Sequence, residues 1–147
     1  LLDTTERVFR KVWEMACYAG FLTGREGARR LLAHGRGSLF FTGATASLRG
    51  GQGYAAFAAA KAGLRLAVQS MARELGPQNI HVAHLVIDAG VDTAFVRERY
   101  AARGVTDIPD GALINPASIA ETYWLLHQQP RDAWTHELDL RPHAEIW

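Results

Sequence analysis

The chain has 147 residues, of which 48% are hydrophobic and 21% are charged, and its formal net charge is +1. This composition predicts a single globular domain, residues 1–147, with a substantial apolar core. The near-neutral charge, without a long run of one sign, argues against nucleic acid or an anionic membrane as a partner, and no apolar run is long enough to span a bilayer.

The first third of the chain predicts a long helix over residues 3–33. Asp3 or Thr4 is placed to cap it, and Glu6 is placed for the reciprocal bond of a capping box. The glycines in the middle of the segment weaken the helix but would let another helix pack closely against it.

A short apolar run, SLFFT at 38–42, follows and is typical of a buried parallel strand. After a loop rich in Gly, Ser and Thr, residues 54–75 predict a second helix with many alanines, which ends at Gly76-Pro77.

The second half continues the alternation. Residues 80–87, IHVAHLVI, predict a buried strand, residues 93–102 a helix and residues 103–115 a loop. Pro116 is suited to a first helical position, and that helix is expected to reach about His127. WTHELDL at 134–140 predicts the last strand.

The resulting order, α-β-α-β-α-α-β, predicts an α/β fold with a parallel sheet covered by helices. We expect the helices over 3–33 and 54–75 to lie on one face of this sheet. Three strands are few for such a sheet, and the first residue is Leu1 rather than methionine. We therefore expect the sequence to begin inside a longer natural protein.

Cys17 is the only cysteine of the chain, which excludes an internal disulfide and indicates a reducing compartment. Nothing at the N-terminus resembles a signal peptide. We therefore expect a cytoplasmic protein.

The run from GRGSLFFTGATAS to YAAFAAAKAGLRLAVQSMARELGPQNIHVAHLVIDAGVDT resembles the short-chain dehydrogenase/reductase family. The resemblance covers about residues 5–140 and is specific through the combined spacing of K-A-G-L, M-A-R-E-L and N-I-H-V. It implies the C-terminal portion of a Rossmann-like, doubly wound parallel sheet. It also implies a nicotinamide cofactor, NAD or NADP, and a reaction between a carbonyl and an alcohol.

The resemblance assigns family roles to a few positions. The lysine that lowers the pKa of the catalytic tyrosine and holds the cofactor ribose corresponds to Lys61. The tyrosine, four residues earlier, corresponds to Phe57, and the serine, thirteen residues before the tyrosine, corresponds to Ala44. The asparagine that positions a relay water corresponds to Ala16, and Thr93 corresponds to the threonine that touches the nicotinamide amide.

The catalytic lysine is thus present, whereas the two hydroxyls that act on the carbonyl are missing at Ala44 and Phe57. A general acid typically contributes about 10²–10⁴-fold to the rate, so we expect impaired catalysis. Two functions remain open. One is an oxidoreductase of atypical mechanism acting on a small-molecule substrate, and the other is a non-catalytic family member retained for binding or assembly.

Nearby side chains offer substitutes for the missing hydroxyls. Tyr54 lies seven residues before Lys61, about two helical turns away, and is a candidate acid, with Thr45 as a candidate donor to the carbonyl. A role for Tyr54 in a pocket wall or subunit contact is the alternative. Asp88 follows a strand and is expected to have a structural role, such as pairing with Arg49, rather than to act as a base.

The sequence holds one G-x-G-x-x-A match, at 51–56, but residues 43–50 separate it from the preceding strand. A dinucleotide fingerprint needs a tight turn directly after a strand, so a flexible glycine-rich segment before the helix is the better interpretation. We expect these 147 residues alone not to bind the cofactor tightly.

No metal site is expected. His81 and His84 would point to opposite faces of one strand, and no H-E-x-x-H or Cys-His spacing occurs. The family resemblance further implies a homodimer through the helices of 3–33 and 54–75, or a tetramer if the last strand also pairs.

Overall fold

The computed structural model describes residues 1–145, and its centre is a parallel three-stranded sheet. The strands are β1 (Gly37–Thr42), β2 (Ile80–Ile87) and β5 (Glu137–Leu140), in the order β1-β2-β5. Gly37 is paired with Ile80, and His84 with Glu137. The predicted α/β class and the parallel pairing are confirmed.

Helices connect and cover these strands. Their bounds are α1 Glu6–Trp13, α2 Ala19–His34, α3 Ala55–Leu75, α4 Ala94–Ala101 and α5 Pro116–His127. A π-helical segment, Glu14–Tyr18, joins α1 to α2, and short 3₁₀ turns occupy Thr45–Ser47, Gly76–Gln78 and Arg131–Ala133.

The two faces of the sheet bury separate apolar clusters. Leu64 and Val68 of α3 pack with Phe41 of β1 and Val82 of β2, and Leu31 of α2 packs against the same cluster. The opposite face buries Leu85, Ile87, Ile114 and Leu126, with Ile119 and Tyr123 of α5 packed against them. The helices predicted over 3–33 and 54–75 therefore do share one face.

Glycines in α2 permit the close contact with α3. A Cβ at Gly20 would lie 2.3 Å from Leu64 Cδ1, and a Cβ at Gly24 would lie 2.6 Å from Met71 Sδ. Real Cβ atoms do not approach neighbours so closely, so a larger residue would displace the Leu64 or Met71 side chain. The prediction that these glycines allow close helix packing is confirmed.

The first helix differs from the prediction in its start and its continuity. Its N-cap is Thr5, whose Oγ1 accepts a hydrogen bond from Val8 N at 3.2 Å, so capping by Asp3 or Thr4 is wrong. Glu6 is the first helical residue rather than the capping-box partner. The π-helical segment, which accommodates an extra residue within the turn, interrupts the predicted continuous helix.

Two predictions in the second half are also corrected. The loop predicted over 103–115 contains β4 (Leu113–Ile114), which pairs in parallel with β3 (Gly90–Val91). Two-residue strands are too short to show an alternating pattern. The last strand begins at Glu137, because Trp134 and Thr135 instead bond to Gln129 in the preceding turn.

The α3 helix begins at Ala55 and ends as predicted at Leu75. The chain does not turn at Gly76, which keeps a helical conformation, but at Asn79, whose φ of 67° is left-handed. Asparagine tolerates this region better than most residues. Within residues 1–145, every helix is too short or too polar to pass through a lipid bilayer.

Candidate active site

A cleft of about 670 Å³ opens where the central strands β1 and β2 end at their carboxyl edge. Its walls come from the 3₁₀ turn after β1, the first turn of α3, the end of β2 and the α4 helix. Ligands of open α/β sheets bind at this edge, because the loops that follow the strands converge there. The cleft is therefore the candidate active site.

Ala44 and Phe57 both line this cleft. Ala44 follows β1, where its backbone N–H donates to Ser47 Oγ at 3.1 Å and so orders the 3₁₀ turn. Phe57 lies in the first turn of α3 and is 36% exposed. Neither side chain carries a hydroxyl, so neither can donate a hydrogen bond to a bound carbonyl or exchange a proton with it.

Lys61 lies one turn further along α3. Its Nζ donates to the Thr42 carbonyl at 2.9 Å and lies 5.8 Å from the centroid of the Phe57 ring. Burial lowers the pKa of Lys61 below its ordinary value, because desolvation disfavours the charged ammonium. The ammonium is thus anchored at the end of β1 and still has two N–H groups free to bind a ligand.

Lys61 borders a second cavity of about 530 Å³ on the α1–α2 side, together with Ala16, Gly20 and Phe57. Phe57 lines both cavities, whereas Lys61 is absent from the lining of the main cleft. The structure therefore brings together three of the positions singled out by spacing, Ala16, Phe57 and Lys61.

Tyr54 and Thr45 line the main cleft beside Phe57. Tyr54 is the N-cap residue of α3, and its ring centroid lies 6.5 Å from that of Phe57. Thr45 Oγ1 donates a short hydrogen bond to the carboxylate of Asp88. The Thr45 proton is therefore engaged, and Thr45 would have to release Asp88 before it could donate to a carbonyl.

Asp88 is 1% exposed, and its carboxylate also faces Arg49 at 3.5 Å and Arg141 at 3.4 Å. A buried carboxylate needs such charge partners, because an isolated charge is costly to desolvate. These contacts support the structural role expected for Asp88, including its pairing with Arg49.

Comparison with known proteins identifies the family. The sequence model described as "Enoyl-(Acyl carrier protein) reductase" matches residues 1–135. The chain belongs to the short-chain dehydrogenase/reductase family. Carbonyl reductase family member 4 of Danio rerio is 30% identical to it over 109 residues, which cover 74% of this chain and 45% of the relative.

The chain is also similar to solved structures. A short-chain dehydrogenase from Rhodopseudomonas palustris is 58% identical, with a TM-score of 0.76 over 97% of this chain and 55% of the other. An alcohol dehydrogenase from Thermococcus sibiricus, complexed with 5-hydroxy-NADP, is 23% identical, with a TM-score of 0.79 over 99% of this chain and 58% of the other, and shows a shared fold. The chain thus spans about half the length of the relatives it matches.

Thr93, which the sequence resemblance related to a cofactor-binding threonine, is the N-cap residue of α4. Its Oγ1 accepts a hydrogen bond from Val96 N at 3.2 Å, and the side chain is exposed. Its hydroxyl proton remains available to a ligand. Thr93 does not line the main cleft.

The glycine-rich match at 51–56 begins as an exposed turn, with Gly53 at a φ of 81°, and continues into α3 at Ala55. It does not follow a strand directly, since the 3₁₀ turn Thr45–Ser47 intervenes. This arrangement lacks the tight strand-to-helix turn of a dinucleotide fingerprint.

Sequence reasoning missed a polar network beneath the cleft. Arg65 of α3 donates two hydrogen bonds, of 2.7 and 2.6 Å, to the carboxylate of Glu137 on β5. His84 of β2, which is fully buried, contacts the same carboxylate through Nδ1 at 2.9 Å. The signal available in the sequence was a histidine within the mostly apolar run of β2 and a glutamate at the start of β5.

The two strand histidines do face opposite sides, as predicted. His81 stacks on Trp134 with ring centroids 4.9 Å apart, whereas His84 faces α3. Among residues 1–145, no three His, Cys, Asp or Glu side chains come together in a way that could hold a metal ion.

Proposed function

We propose that the protein is an atypical NAD- or NADP-dependent oxidoreductase that acts on a carbonyl or an alcohol with an impaired proton-transfer step. The observation that carries the proposal is the pairing of Phe57 and Ala44 at the cleft, beside a lysine anchored at the end of β1. The scaffold and lysine of the family are retained, while the two hydroxyls that act on the carbonyl are absent.

The cofactor would supply or accept a hydride. On the family pattern, Lys61 would hold the ribose through its two free N–H groups, and Thr93 would hold the nicotinamide amide through its hydroxyl proton. Both donors fit, because each is anchored by one bond and keeps donor capacity. We propose that these residues form the C-terminal half of a family domain and that the dinucleotide loop belongs to a longer natural protein.

The proton has two candidate routes. In one, Tyr54 acts as a substitute acid at the cleft and Thr45 as a donor to the carbonyl. In the other, no side chain of this chain transfers the proton, and rate enhancement comes from holding the reactants together. The bond from Thr45 to Asp88 favours the second route, since it engages the threonine's proton.

A non-catalytic binding or assembly role is the second candidate function. Its support is an exposed aromatic surface on the first helices, where Trp13 is 41%, Tyr18 45% and Phe21 40% exposed, with neighbouring rings stacked. We propose that this surface and α3 form a homodimer contact, with a tetramer as the larger alternative, in the cytoplasm. A monomer by light scattering at micromolar concentration would contradict the dimer.

The oxidoreductase proposal is tested by restoring the missing hydroxyls. In a longer version that carries the dinucleotide loop, Phe57→Tyr with Ala44→Ser should raise carbonyl reduction by about 10²-fold or more, because Lys61 is placed to lower the pKa of the new phenol. NADH or NADPH oxidation with neutral ketones and aldehydes measures the rate. Unchanged activity would refute the assignment of positions 44 and 57.

Phe95→Tyr is the matched control, since Phe95 lines the same cleft from α4 rather than from the turn before Lys61. It should not raise the rate. Tyr54→Phe separates the two proton routes, because it abolishes activity only if Tyr54 is the acid. The 147-residue chain alone should show no measurable reduction, and tight NADH or NADPH binding by it in a fluorescence titration would contradict that expectation.

A further inference from the structure

Three arginine side chains line the main cleft, Arg49 from the loop after β1 and Arg99 and Arg103 from α4 and the turn that follows it. No aspartate or glutamate lines the described cleft. Of the three guanidiniums, only that of Arg49 contacts a carboxylate, that of the buried Asp88 at 3.5 Å. The opening of the cleft therefore has a positive potential, which attracts an anionic ligand.

The arginines of α4 and of the turn that follows it differ in whether they have a carboxylate partner. Arg97, which lies outside the cleft, makes two hydrogen bonds of 2.5 and 2.8 Å to Asp92. Arg99 has no carboxylate partner within residues 1–145 and lies 5.6 Å above the Phe95 ring. Arg103 likewise has no ion pair in that part of the chain. The unpaired guanidiniums of α4 and the turn that follows it are thus the two at the cleft, Arg99 and Arg103.

Arg49 is also only partly engaged. Its contact with Asp88 is long, at 3.5 Å, and Asp88 already accepts a short bond from Thr45 and faces Arg141. The Arg49 side chain is 45% exposed, so most of its five N–H donors remain open to a ligand.

The rest of the cleft is apolar. Phe57, Ile87, Phe95 and Val96 supply side-chain walls, and small residues such as Ala44 leave space between them. A volume of about 670 Å³ falls within the range typical of small-molecule sites. The cleft therefore combines an apolar interior with cationic groups at its α4 wall.

We propose that the cleft binds an amphipathic anion, with an apolar body against Phe57 and Ile87 and a carboxylate or phosphate held by Arg99 and Arg103. Guanidinium groups match both anions, because their fork of N–H donors bonds two oxygens at once. The assignment of this ligand as the substrate rests on the proposed oxidoreductase function, and its carbonyl would then lie toward Ala44 and Phe57.

Isothermal titration calorimetry with octanoate, octyl phosphate and 1-octanol tests the proposal on the 147-residue chain without cofactor. At least one of the two anions should bind about tenfold more tightly than the alcohol of equal chain length. Whichever anion binds more tightly identifies the preferred head group. Equal affinity for all three probes would overturn the proposal without the need for any variant.

Arginine substitutions test which guanidinium groups bind the anion. Arg99→Gln with Arg103→Gln should lower anion affinity by about tenfold and leave octanol binding unchanged. Arg97→Gln, on the same helix but paired with Asp92, should leave both unchanged. If Arg97→Gln weakened anion binding as much as the double change, a general charge effect would replace the site. Circular dichroism checks folding, and Arg99→Lys with Arg103→Lys should give intermediate affinity because it keeps charge but loses the fork.

Salt gives an independent readout. Raising ionic strength should weaken anion binding by the original chain and have little effect on the double glutamine variant, because screening acts on the guanidinium–anion attraction. Anion binding without turnover in the longer protein would refute the oxidoreductase function alone. Turnover of neutral ketones without anion preference would refute the anion site alone.

Discussion

Polar side chains in the interior of the sheet and at the cleft on its carboxyl edge differ in how fully they are paired. Beneath α3, His84, Glu137 and Arg65 are joined across three elements. At the cleft, Ala44 and Phe57 carry no hydroxyl, and Arg99 and Arg103 have no carboxylate partner within the described residues. The interior network supports the fold, whereas the cleft groups are free to meet a ligand, so chemistry at the cleft can change while the fold persists.

The state of His84 follows from this network. Its Nδ1 faces the Glu137 carboxylate, so the neutral ring carries its proton there, and Nε2 is an acceptor. Nε2 is buried without a partner among the described residues, and an added Cβ at Gly43 would lie only 2.4 Å from it. A second proton on Nε2 would therefore be a buried, unpaired donor.

The largest effect is expected from truncation inside the sheet. Leu85 is 0% exposed, and Leu85→Ala should lower the free energy of unfolding by about 2–5 kcal/mol through lost burial and a cavity. Urea denaturation measures the change. Leu125→Ala on α5, where the side chain is 64% exposed, should change it by no more than about 0.5 kcal/mol. Equal losses would erase the distinction between interior and surface.

Removing the shared carboxylate should have the next largest effect. Glu137→Gln takes away the charge that Arg65 and His84 both contact, and we expect a loss of about 1–3 kcal/mol in unfolding free energy. Asp139→Asn in the same strand is the control, because that side chain is 42% exposed and such ion pairs contribute about 0–1 kcal/mol. A larger loss at Asp139 would contradict the importance assigned to the interior network.

The pH dependence of stability tests the same network, with a smaller expected effect. Burial lowers the pKa of His84 below its ordinary value of 6.5, and the bond to Glu137 only partly opposes this. Below that value the unfolded chain binds a proton that the folded chain does not, so stability should fall as pH decreases through about 6.5. His84→Gln should remove this slope.

Glu137 affects the stability of the fold in a separate, lower pH range. The hydrogen bonds from Arg65 lower the pKa of this carboxyl below 4.5, so its contribution is present above that value and is lost as pH falls through the folded pKa. Thermal unfolding at closely spaced pH values separates the two windows. A stability independent of pH between neutrality and the lower window would contradict the assignment to His84.

The smallest effect is expected from adding hydroxyls at the cleft. Phe57→Tyr and Ala44→Ser should each change the free energy of unfolding by no more than about 0.5 kcal/mol, because both positions border open space. Val68→Thr, which adds a hydroxyl at a fully buried position of the same helix, should cost about 1–3 kcal/mol. Scanning calorimetry compares the stability of these variants. Similar losses of unfolding free energy at the cleft and at Val68 would show that the cleft wall is packed like the interior.

Local patterns explain which parts of the fold could be predicted. β2 was predicted to the residue because its eight side chains are all buried and bounded by turn residues, and α5 because Pro116 fits a first helical position. The strands β3 and β4 were missed, since two residues carry no periodicity. The π-helical segment was missed because its sequence keeps helical spacing.

The site divides in the same way. Phe57 and Lys61 share a turn of one helix, so their spacing was sufficient to relate them. Arg65 and Glu137 are 72 residues apart, and Arg49 joins Arg99 in one cleft only through the fold. No local sequence pattern predicts that such distant residues lie close together, because their proximity depends on the strand topology.

The separation between paired strands also bears on how quickly this sheet can form. His84 pairs with Glu137 across 53 residues, and Arg65 reaches the same glutamate across 72. Contacts between residues distant along the chain slow folding, because the intervening loop must be closed first. During synthesis β5 emerges last among these strands, so His84 and Arg65 cannot contact the Glu137 carboxylate until then. A chain shortened before residue 137 would leave the imidazole without its partner and expose the edge of β2.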